Sequence, residues 1–426
     1  MLVGIMFILF FLFLFAGIPV AFALGASVLY YFLADGIPLI TLPQKMFAGM
    51  NSFVLLCVPG FILAGNLMNQ GGITYRIIDF ANSLVGHIRG GLGQANIVAS
   101  MVFSGISGTA TADSASLGAI LIPAMEKEGY DTDFSCAITA ASSCIGPIIP
   151  PSLPMIVAGT LTGLSVTKLF VAGVIPGLLL GFGMMFVCDI ISKKRNYPKR
   201  ERQTWSGRVK SFFGAFWALL MTIIILYGIM GGICTPTEAS MIAVVYAIFV
   251  GLFVYKELPI KEMPKIFMES ACTTTSILML IGFANVFAWV LSKEQVPTMV
   301  ADLMLGVTHN KYLILLMINL LLLFVGTFME TNAALAILFP TLLNVATQVG
   351  VNPIHFGIIV VLNLVLGLTT PPVGVCLFIT STVGKISLGK VAKAVLPFLG
   401  INLVVLMLVT YCPPLTLWLV ELMFPA

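Results

Sequence analysis

Apolar residues run along this chain in long blocks, separated by short polar or glycine- and proline-rich stretches. A helix needs about 20 apolar residues to cross the hydrocarbon layer of a membrane. On that criterion the 426 residues contain five predicted crossings in each half. They cover residues 2–16, 18–34, 50–70, 134–164, 168–192, 212–232, 237–255, 267–291, 354–384 and 393–423. The pattern therefore predicts an all-α polytopic membrane protein.

Two further apolar stretches, 91–125 and 312–347, are interrupted near their middles by small and polar residues. Irregular backbone is tolerated in a membrane only where it is buried or lines a cavity, so both are predicted to be re-entrant helical hairpins. Segments 73–86 and 294–307 precede them and mix charged with apolar residues. Each is either a helix along the membrane interface or the tilted start of its hairpin.

The two halves repeat one another at an offset of 217 residues, so that "TADSASLGAILIP" at 111–123 matches "FMETNAALAILFP" at 328–340. Further on, "GPIIPPS" at 146–152 answers "GLTTPPV" at 367–373, at an offset of 221. The predicted units are a first repeat 1–191, a linker 192–210 and a second repeat 211–426. Internal repeats in membrane proteins indicate transporters whose site lies where the repeats meet.

The linker holds eight basic residues and one acid, which predicts that it is cytoplasmic. Five crossings on either side then place both termini in the periplasm, and all but four of the 21 Lys and Arg residues fall inside. The exceptions are Lys45, Lys168, Lys293 and Lys311. Because an odd number of crossings inverts the second copy, the halves form inverted repeats whose hairpin tips approach each other near mid-membrane.

Composition narrows the function. The chain is 59% hydrophobic and 9% charged, against about 25% charged in soluble proteins. Its net charge of +4 sits mostly in the linker, which indicates orientation rather than nucleic-acid binding. The eight cysteines lack metal-ligand spacing, and no P-loop is present. These features argue against an enzyme and against a bound cofactor.

The hairpin tips carry the first candidate chemistry. "FSGISGTATADSAS" at 103–116 is rich in hydroxyls, and "GTFMETNAA" at 326–334 keeps the polar character. Hydroxyls and freed carbonyls suit sodium, with Ser104 and Ser107 as the best ligands, although small residues also permit close helix packing. The gap between the tips is the predicted substrate site, and its candidate residues are Thr109, Thr111, Thr331 and Asn332.

Asp113 and Glu330 place one carboxylate in each copy at equivalent positions. A charge at mid-membrane costs about 2.5–3.5 kcal/mol on insertion scales, so both should have a role. The favoured role is capping of the returning helix of the hairpin, where an acid also meets the positive end of the helix dipole. Two alternatives remain for these carboxylates. They could raise cation affinity without touching the cation, or they could bind the cation directly. Thr235 and Glu238 form a predicted capping box around Pro236, which is a structural feature.

Prolines break two crossings. "SSCIGPIIPPSLP" at 142–154 and "NLVLGLTTPPVGV" at 363–375 cannot continue a helix, because proline lacks the amide donor. Two half-helices around an unwound middle are predicted in 134–164 and in 354–384, with a simple proline kink as the alternative. Residues 352–384 contain no Asp, Glu, Lys or Arg. An anion held there would meet amides and hydroxyls, with bound sodium supplying positive charge.

At these residues the chain resembles the large membrane subunit of the tripartite ATP-independent periplasmic (TRAP) transporters, of the DctM or SiaM type. "GISGTATADSASLGAILIPAM", "GPIIPPS", "GGICTPTEAS" and "GLTTPPVGV" carry the resemblance, which covers nearly the whole chain. Outside these motifs, the sequence is most similar to the sialic-acid members of the family. The resemblance implies an elevator-type, sodium-coupled secondary importer of an organic acid anion in the bacterial inner membrane. Its implied partners are a small four-helix membrane subunit and a periplasmic substrate-binding protein.

The resemblance also implies two sodium sites, each between a hairpin tip and the broken helix of the same half. The first set is Ser104, Ser107, Gly146, Ile149 and Pro151, acting mostly through carbonyls, and the second is Gly326, Gly367, Thr370 and Val373. Two alternatives remain open from the sequence. One is a stand-alone sodium/carboxylate symporter of a related two-hairpin family, and the other is a channel.

Overall fold

A computed structural model describes residues 2–199, 202, 204–308, 310–371 and 373–424, without the side chains of residues 15, 104–107, 297, 301 and 305. The regular structure of the described residues is helical throughout. The helices are α1 Leu2–Phe15, α2 Val20–Ala34, α3 Thr41–Met50, α4 Cys57–Gln70, α5 Ile73–Val85, α6 Gly91–Ser107, α7 Ala110–Lys127, α8 Thr132–Ser143, α9 Leu153–Thr162, α10 Val166–Lys194, α11 Trp205–Met230, α12 Pro236–Phe249, α13 Met263–Lys293, α14 Val296–Val307, α15 Lys311–Gly326, α16 Thr331–Gln348, α17 Pro353–Gly367, α18 Val375–Val383, α19 Leu388–Tyr411 and α20 Pro414–Met423.

Six helical segments of the described chain are long and apolar enough to cross a membrane, which makes the protein multi-pass. They are Phe53–Gln70, Val166–Lys194, Trp205–Met230, Pro236–Val254, Ile260–Lys293 and Leu388–Tyr411. Short 3-10 turns at Phe53–Leu56 and Ile260–Glu262 and a π turn at Val250–Val254 extend three of these segments. Shorter apolar helices include α1, α2 and one arm of each broken span, α9 and α17, and they lie in the other four predicted crossings.

Three predicted boundaries are wrong. The span 50–70 begins at Phe53, and a separate helix, α3, precedes it where no helix was predicted. The span 393–423 is two helices, because Pro413 and Pro414 interrupt the chain after Tyr411 and start α20. The linker is shorter than 192–210, since α10 continues to Lys194 and α11 begins at Trp205.

The two broken spans match the prediction. In the first, α8 ends at Ser143 and α9 begins at Leu153, where the Ser152 side chain accepts a bond from the Met155 amide. In the second, α17 ends at Gly367 and α18 begins at Val375. Proline-rich backbone separates the arms in both spans, which leaves main-chain groups outside the helical ladder.

The broken helices form the centre of the molecule. Every residue of α8 from Phe134 onward and every residue of α17 from His355 onward is buried. The hairpin helices α7 and α6 pack on α8, and α15 and α16 pack on α17. Helices α4 and α13 pack on each other, and they contact α6 and α16 respectively. The hairpin tips are therefore enclosed between the broken helices on one side and the pair α4 and α13 on the other.

Candidate functional site

Each hairpin tip is hydrogen-bonded to the second arm of the broken helix in its own half. The Leu153 amide donates to the Gly108 carbonyl at 3.3 Å, and the Gly374 amide donates to the Thr327 carbonyl at 3.4 Å. Both bonds join the turn of a hairpin to the first residues after an unwound segment. The sequence could not show this contact, because the bonded residues are more than 40 positions apart in each half.

Of the first predicted sodium set, three residues belong to the unwound segment after α8, and one of them touches the first tip. Pro151 contacts the tip, since a Cβ atom on Gly108 would lie 2.8 Å from the Pro151 carbonyl oxygen. Among the described main-chain hydrogen bonds outside the helices, none is accepted by the carbonyls of Gly146, Ile149 or Pro151. Oxygens outside the helical ladder are the kind that bind sodium in broken-helix transporters. The side chains of Ser104 and Ser107, at 104–107, lie outside the described part of the structure.

The second predicted set is built on a contact between two glycines. A Cβ atom on Gly367 would lie 2.5 Å from the Cα of Gly326, so the end of α17 touches the end of α15 directly. Thr370 folds back onto the broken helix, with its amide donating to the Gly367 carbonyl at 3.0 Å and its hydroxyl donating to Leu366 at 2.9 Å. Val373 is 41% exposed. The Thr370 hydroxyl oxygen keeps its lone pairs while it donates.

Glu330 caps the returning helix of the second hairpin, as predicted. Its carboxylate accepts from the amides of Asn332 at 2.9 Å and Ala333 at 3.2 Å, and from the Asn332 side chain at 2.8 Å. The favourable dipole of α16 and these three bonds offset part of the cost of burying a carboxylate in the membrane.

Asp113 is not the cap of the first hairpin, which corrects the prediction. The N-cap of α7 is Thr109, whose hydroxyl accepts from the Ala112 amide at 3.4 Å, and Asp113 lies in the first helical turn. The helix starts therefore match Thr109 with Glu330, because the offset has already grown to 221 at this point. Asp113 instead sits against the break, where a Cβ atom on Gly146 would lie 2.5 Å from its Oδ2.

A cavity of about 390 Å³ lies between the two tips, and all four predicted substrate residues line it. They are Thr109, Thr111, Thr331 and Asn332. Two of their buried atoms, Thr331 Oγ1 and Asn332 Oδ1, have no hydrogen-bond partner among the described groups. Buried polar atoms are costly unless something satisfies them, so these atoms indicate a ligand or ordered water.

Helices α4 and α13 supply polar residues to the same cavity that the sequence analysis missed. Asn66 and Asn69 of α4 and Thr273 of α13 face it. The Asn66 side chain also donates to the Ser270 hydroxyl at 2.8 Å. A signal was available, because two asparagines three residues apart share one face of the apolar stretch "CVPGFILAGNLMNQ".

The described lining of the cavity carries one ionisable side chain, the Glu330 carboxylate, and no Lys, Arg or His. The neutral amides and hydroxyls around it can bind carboxylate or hydroxyl groups of a solute. The capping box of Thr235 and Glu238 is present at the start of α12, away from this cavity, and is structural. Among the described residues, no cluster of His, Cys, Asp or Glu could hold a metal ion.

Broken helices, hairpin tips and a cavity lined by both polar and apolar residues between those tips, in a multi-pass helical protein, define a membrane transport permease. A family model described as "Tripartite ATP-independent periplasmic transporter, DctM component" matches residues 7–415. The chain belongs to that family of transporter permeases, which are not enzymes.

Relatives in the family carry different solutes. The chain is 43% identical to the sialic acid TRAP transporter large permease protein SiaM of Vibrio cholerae, over 96% of each chain. It is 42% identical to the C4-dicarboxylate TRAP transporter large permease protein DctM of Pseudomonas aeruginosa, over 92% of each chain. It is also 42% identical to the isethionate TRAP transporter permease protein DctMQ of Oleidesulfovibrio alaskensis, over 96% of this chain and 64% of that protein.

The fold has a counterpart among solved structures. The YdaH transporter of Alcanivorax borkumensis superposes with a TM-score of 0.61 at 14% sequence identity, over 90% of this chain and 88% of YdaH. At that identity the likeness concerns the fold alone.

Proposed function

We propose that this chain is the large membrane subunit of a tripartite importer that moves an organic acid anion across the bacterial inner membrane, coupled to sodium. A small four-helix membrane subunit and a periplasmic substrate-binding protein complete the system. The cavity between the hairpin tips is the observation that carries the proposal, because the four predicted substrate residues line it and two of them present buried atoms that lack partners.

Sodium coupling is supported by the charge balance of the cavity. An anion placed there meets the Glu330 carboxylate and no described cationic side chain. Positive charge must come from elsewhere, and the backbone at Gly146 and Gly367 lies against the hairpin of its own half, where main-chain oxygens are available. Two sodium ions with a monoanion would carry one net charge inward, worth about 2.3 kcal/mol per 100 mV of membrane potential.

The chemistry of the lining favours a hydroxylated carboxylate. Amides and hydroxyls from Asn66, Asn69 and Thr273 oppose those of the tips, so neutral polar groups are available on both sides of a bound solute. A sugar acid such as sialic acid offers one carboxylate and many hydroxyls. A C4-dicarboxylate would place two negative charges in a cavity that already holds a carboxylate.

Uptake into proteoliposomes tests the proposal. The chain is reconstituted with its small subunit, the binding protein is added outside, and labelled sialic acid, succinate and isethionate are supplied separately. We expect sialic acid uptake to require both an inward sodium gradient and the binding protein. Equal uptake without sodium would reject the coupling, and uptake without the binding protein would indicate a stand-alone symporter instead.

The elevator movement is part of the same proposal. The hairpins and broken helices would move as one body against α4 and α13, carrying the solute between the two sides of the membrane. Cross-linking measures this directly. A cysteine pair placed across the cavity, at Asn69 and Thr111, should stop uptake when bridged and restore it when reduced.

A further inference from the structure

One pair of buried polar side chains in each half joins the hairpin to the broken helix of that half. In the first half, Ser100 Oγ of α6 donates to Ser142 Oγ of α8 at 3.0 Å. In the second half, Asn363 Nδ2 of α17 donates to both Asn319 Oδ1 at 2.8 Å and the Asn319 carbonyl at 2.9 Å. All four side chains are at most 1% exposed.

The hairpin members of the pairs occupy equivalent places. Ser100 lies seven residues before the end of α6 at Ser107, and Asn319 lies seven residues before the end of α15 at Gly326. Both are therefore two helical turns from their tips.

The broken-helix members are equivalent as well. Ser142 lies four residues before Gly146, and Asn363 lies four residues before Gly367. Measured to the helix ends, Ser142 precedes the last residue of α8 by one position and Asn363 precedes the last residue of α17 by four, so each pair lies within about one turn of an unwound segment. The residue type differs between the halves, hydroxyl in one and carboxamide in the other, while the position of the bond is the same.

Polar pairs at these places fix a register that apolar packing would leave less defined. A buried amide or hydroxyl in a membrane costs free energy unless it is bonded, so sliding one helix past the other would break the pair at a cost. One residue of slip moves a helix by about 1.5 Å, which exceeds the tolerance of a hydrogen bond. The second pair is anchored further, because Asn319 Nδ2 donates to Thr410 Oγ1 of α19 at 3.0 Å.

We propose that Ser100–Ser142 and Asn319–Asn363 are positioning pairs, each of which sets the sodium affinity of its own half without touching the ion. Each pair holds a hairpin tip in register with the adjacent unwound segment, where main-chain oxygens must converge on the cation. The proposal rests on the sodium coupling proposed above and adds the residues that preorganise it.

Sodium titrations of two variants test the proposal. Asn363→Leu and Ser142→Ala remove the pairs and leave the main-chain oxygens in place. In proteoliposomes with the small subunit and binding protein, each should raise the sodium concentration for half-maximal uptake about fivefold, equivalent to about 1 kcal/mol. The half-saturating substrate concentration at saturating sodium should stay unchanged.

A rescue variant and a double variant distinguish a positioning role from a simple loss of packing. Ser142→Thr keeps the hydroxyl and should restore sodium affinity. The loss of sodium affinity in Asn319→Leu with Asn363→Leu should be smaller than the sum of the two single losses, because the two side chains share one bond. Asn344→Leu on the exposed face of α16 is the matched control and should behave as the wild type.

Thermal unfolding of the purified chain supplies a second readout. Sodium should raise the melting temperature of the wild type through binding, and the sodium concentration needed should shift in Asn363→Leu. A variant that loses the same stability with and without sodium, or keeps the wild-type sodium titration, would overturn the positioning role. A wild type that shows no sodium effect in either assay would instead reject the proposed coupling.

Discussion

Gly326 and Gly367 touch through their backbones, so a Cβ atom on Gly367 would lie 2.5 Å from both the Cα and the carbonyl carbon of Gly326. Real Cβ atoms do not approach so closely, and Gly367→Ala must push α17 away from α15. We expect this variant to lose about 1–3 kcal/mol of stability and most sodium-dependent uptake. Gly400→Ala is the control, because nothing lies within 4 Å of its added carbon. Equal effects of the two changes would contradict the contact.

Gly146 and Asp113 offer a test of coupling between the break and the first hairpin. Gly146→Ala should destabilise the protein, since the new Cβ would lie 2.5 Å from the Asp113 carboxylate. Adding Asp113→Ala frees that space. The melting temperatures of the two single variants and the double variant should therefore be non-additive, with the double variant more stable than their sum. Strict additivity would show that the two residues do not meet.

Glu330→Ala removes a helix cap that also borders the cavity. Loss of the bonds to Asn332 and Ala333 should cost about 0.5–2 kcal/mol of stability. Uptake should fall as well, because Thr331 and Asn332 lose their fixed positions. Glu238→Ala removes one half of the capping box of α12, and it should lower stability while leaving the half-saturating substrate concentration unchanged. Identical uptake by both variants would separate Glu330 from the site.

Asn69→Ala tests whether α4 contributes to substrate binding. Losing one hydrogen bond to a solute should raise the half-saturating substrate concentration about three- to tenfold, with little change in sodium dependence. Asn51→Ala, at an exposed position after α3, should have no effect. An unchanged substrate dependence in Asn69→Ala would restrict the site to the hairpins.

Acid should weaken one surface contact between α5 and the segment after α12. Arg76 bonds Glu257 at 2.7 Å and holds the pKa of that carboxyl below its usual range. Because the folded pKa is the lower one, this stabilisation is present above the unfolded pKa and is lost as pH falls through the folded pKa. Between pH 7 and pH 3 the melting temperature of Glu257→Gln should fall less than that of the wild type. The difference should be small, since the pair is partly exposed.

Much of the helix pattern could be predicted from the sequence, because hydrophobic length and proline position act locally. The broken helices around Gly146 and Gly367 and the capping role of Glu330 are examples. The missed helix α3 has a physical reason. The segment "TLPQKMFAGM" is short and amphipathic, and it is stabilised by packing on α13, with the Asn285 side chain bonded to the Lys45 carbonyl at 2.8 Å.

The site was harder to predict where partners are distant in sequence. The sequence repeat aligns Asp113 with Glu330, whereas the N-terminal ends of α7 and α16 align Thr109 with Glu330. A small insertion shifts the register there, and only the cap geometry reveals it. Asn66 and Asn69 share one face of a predicted crossing, but their contribution to the cavity depended on knowing that α4 faces the hairpin tips.

The cavity has walls of two origins, with Thr111 and Asn332 on the hairpins and Asn69 on α4. If the hairpins move relative to α4, the two walls of the cavity separate in every transport cycle. A solute bound by both walls would then be selected before the movement begins, and it would lose its contacts with α4 when the hairpins move. Substrate selectivity and transport rate would therefore be set by different residues. The asparagines of α4 would determine which solute binds, and the hairpin tips would hold the solute during the movement.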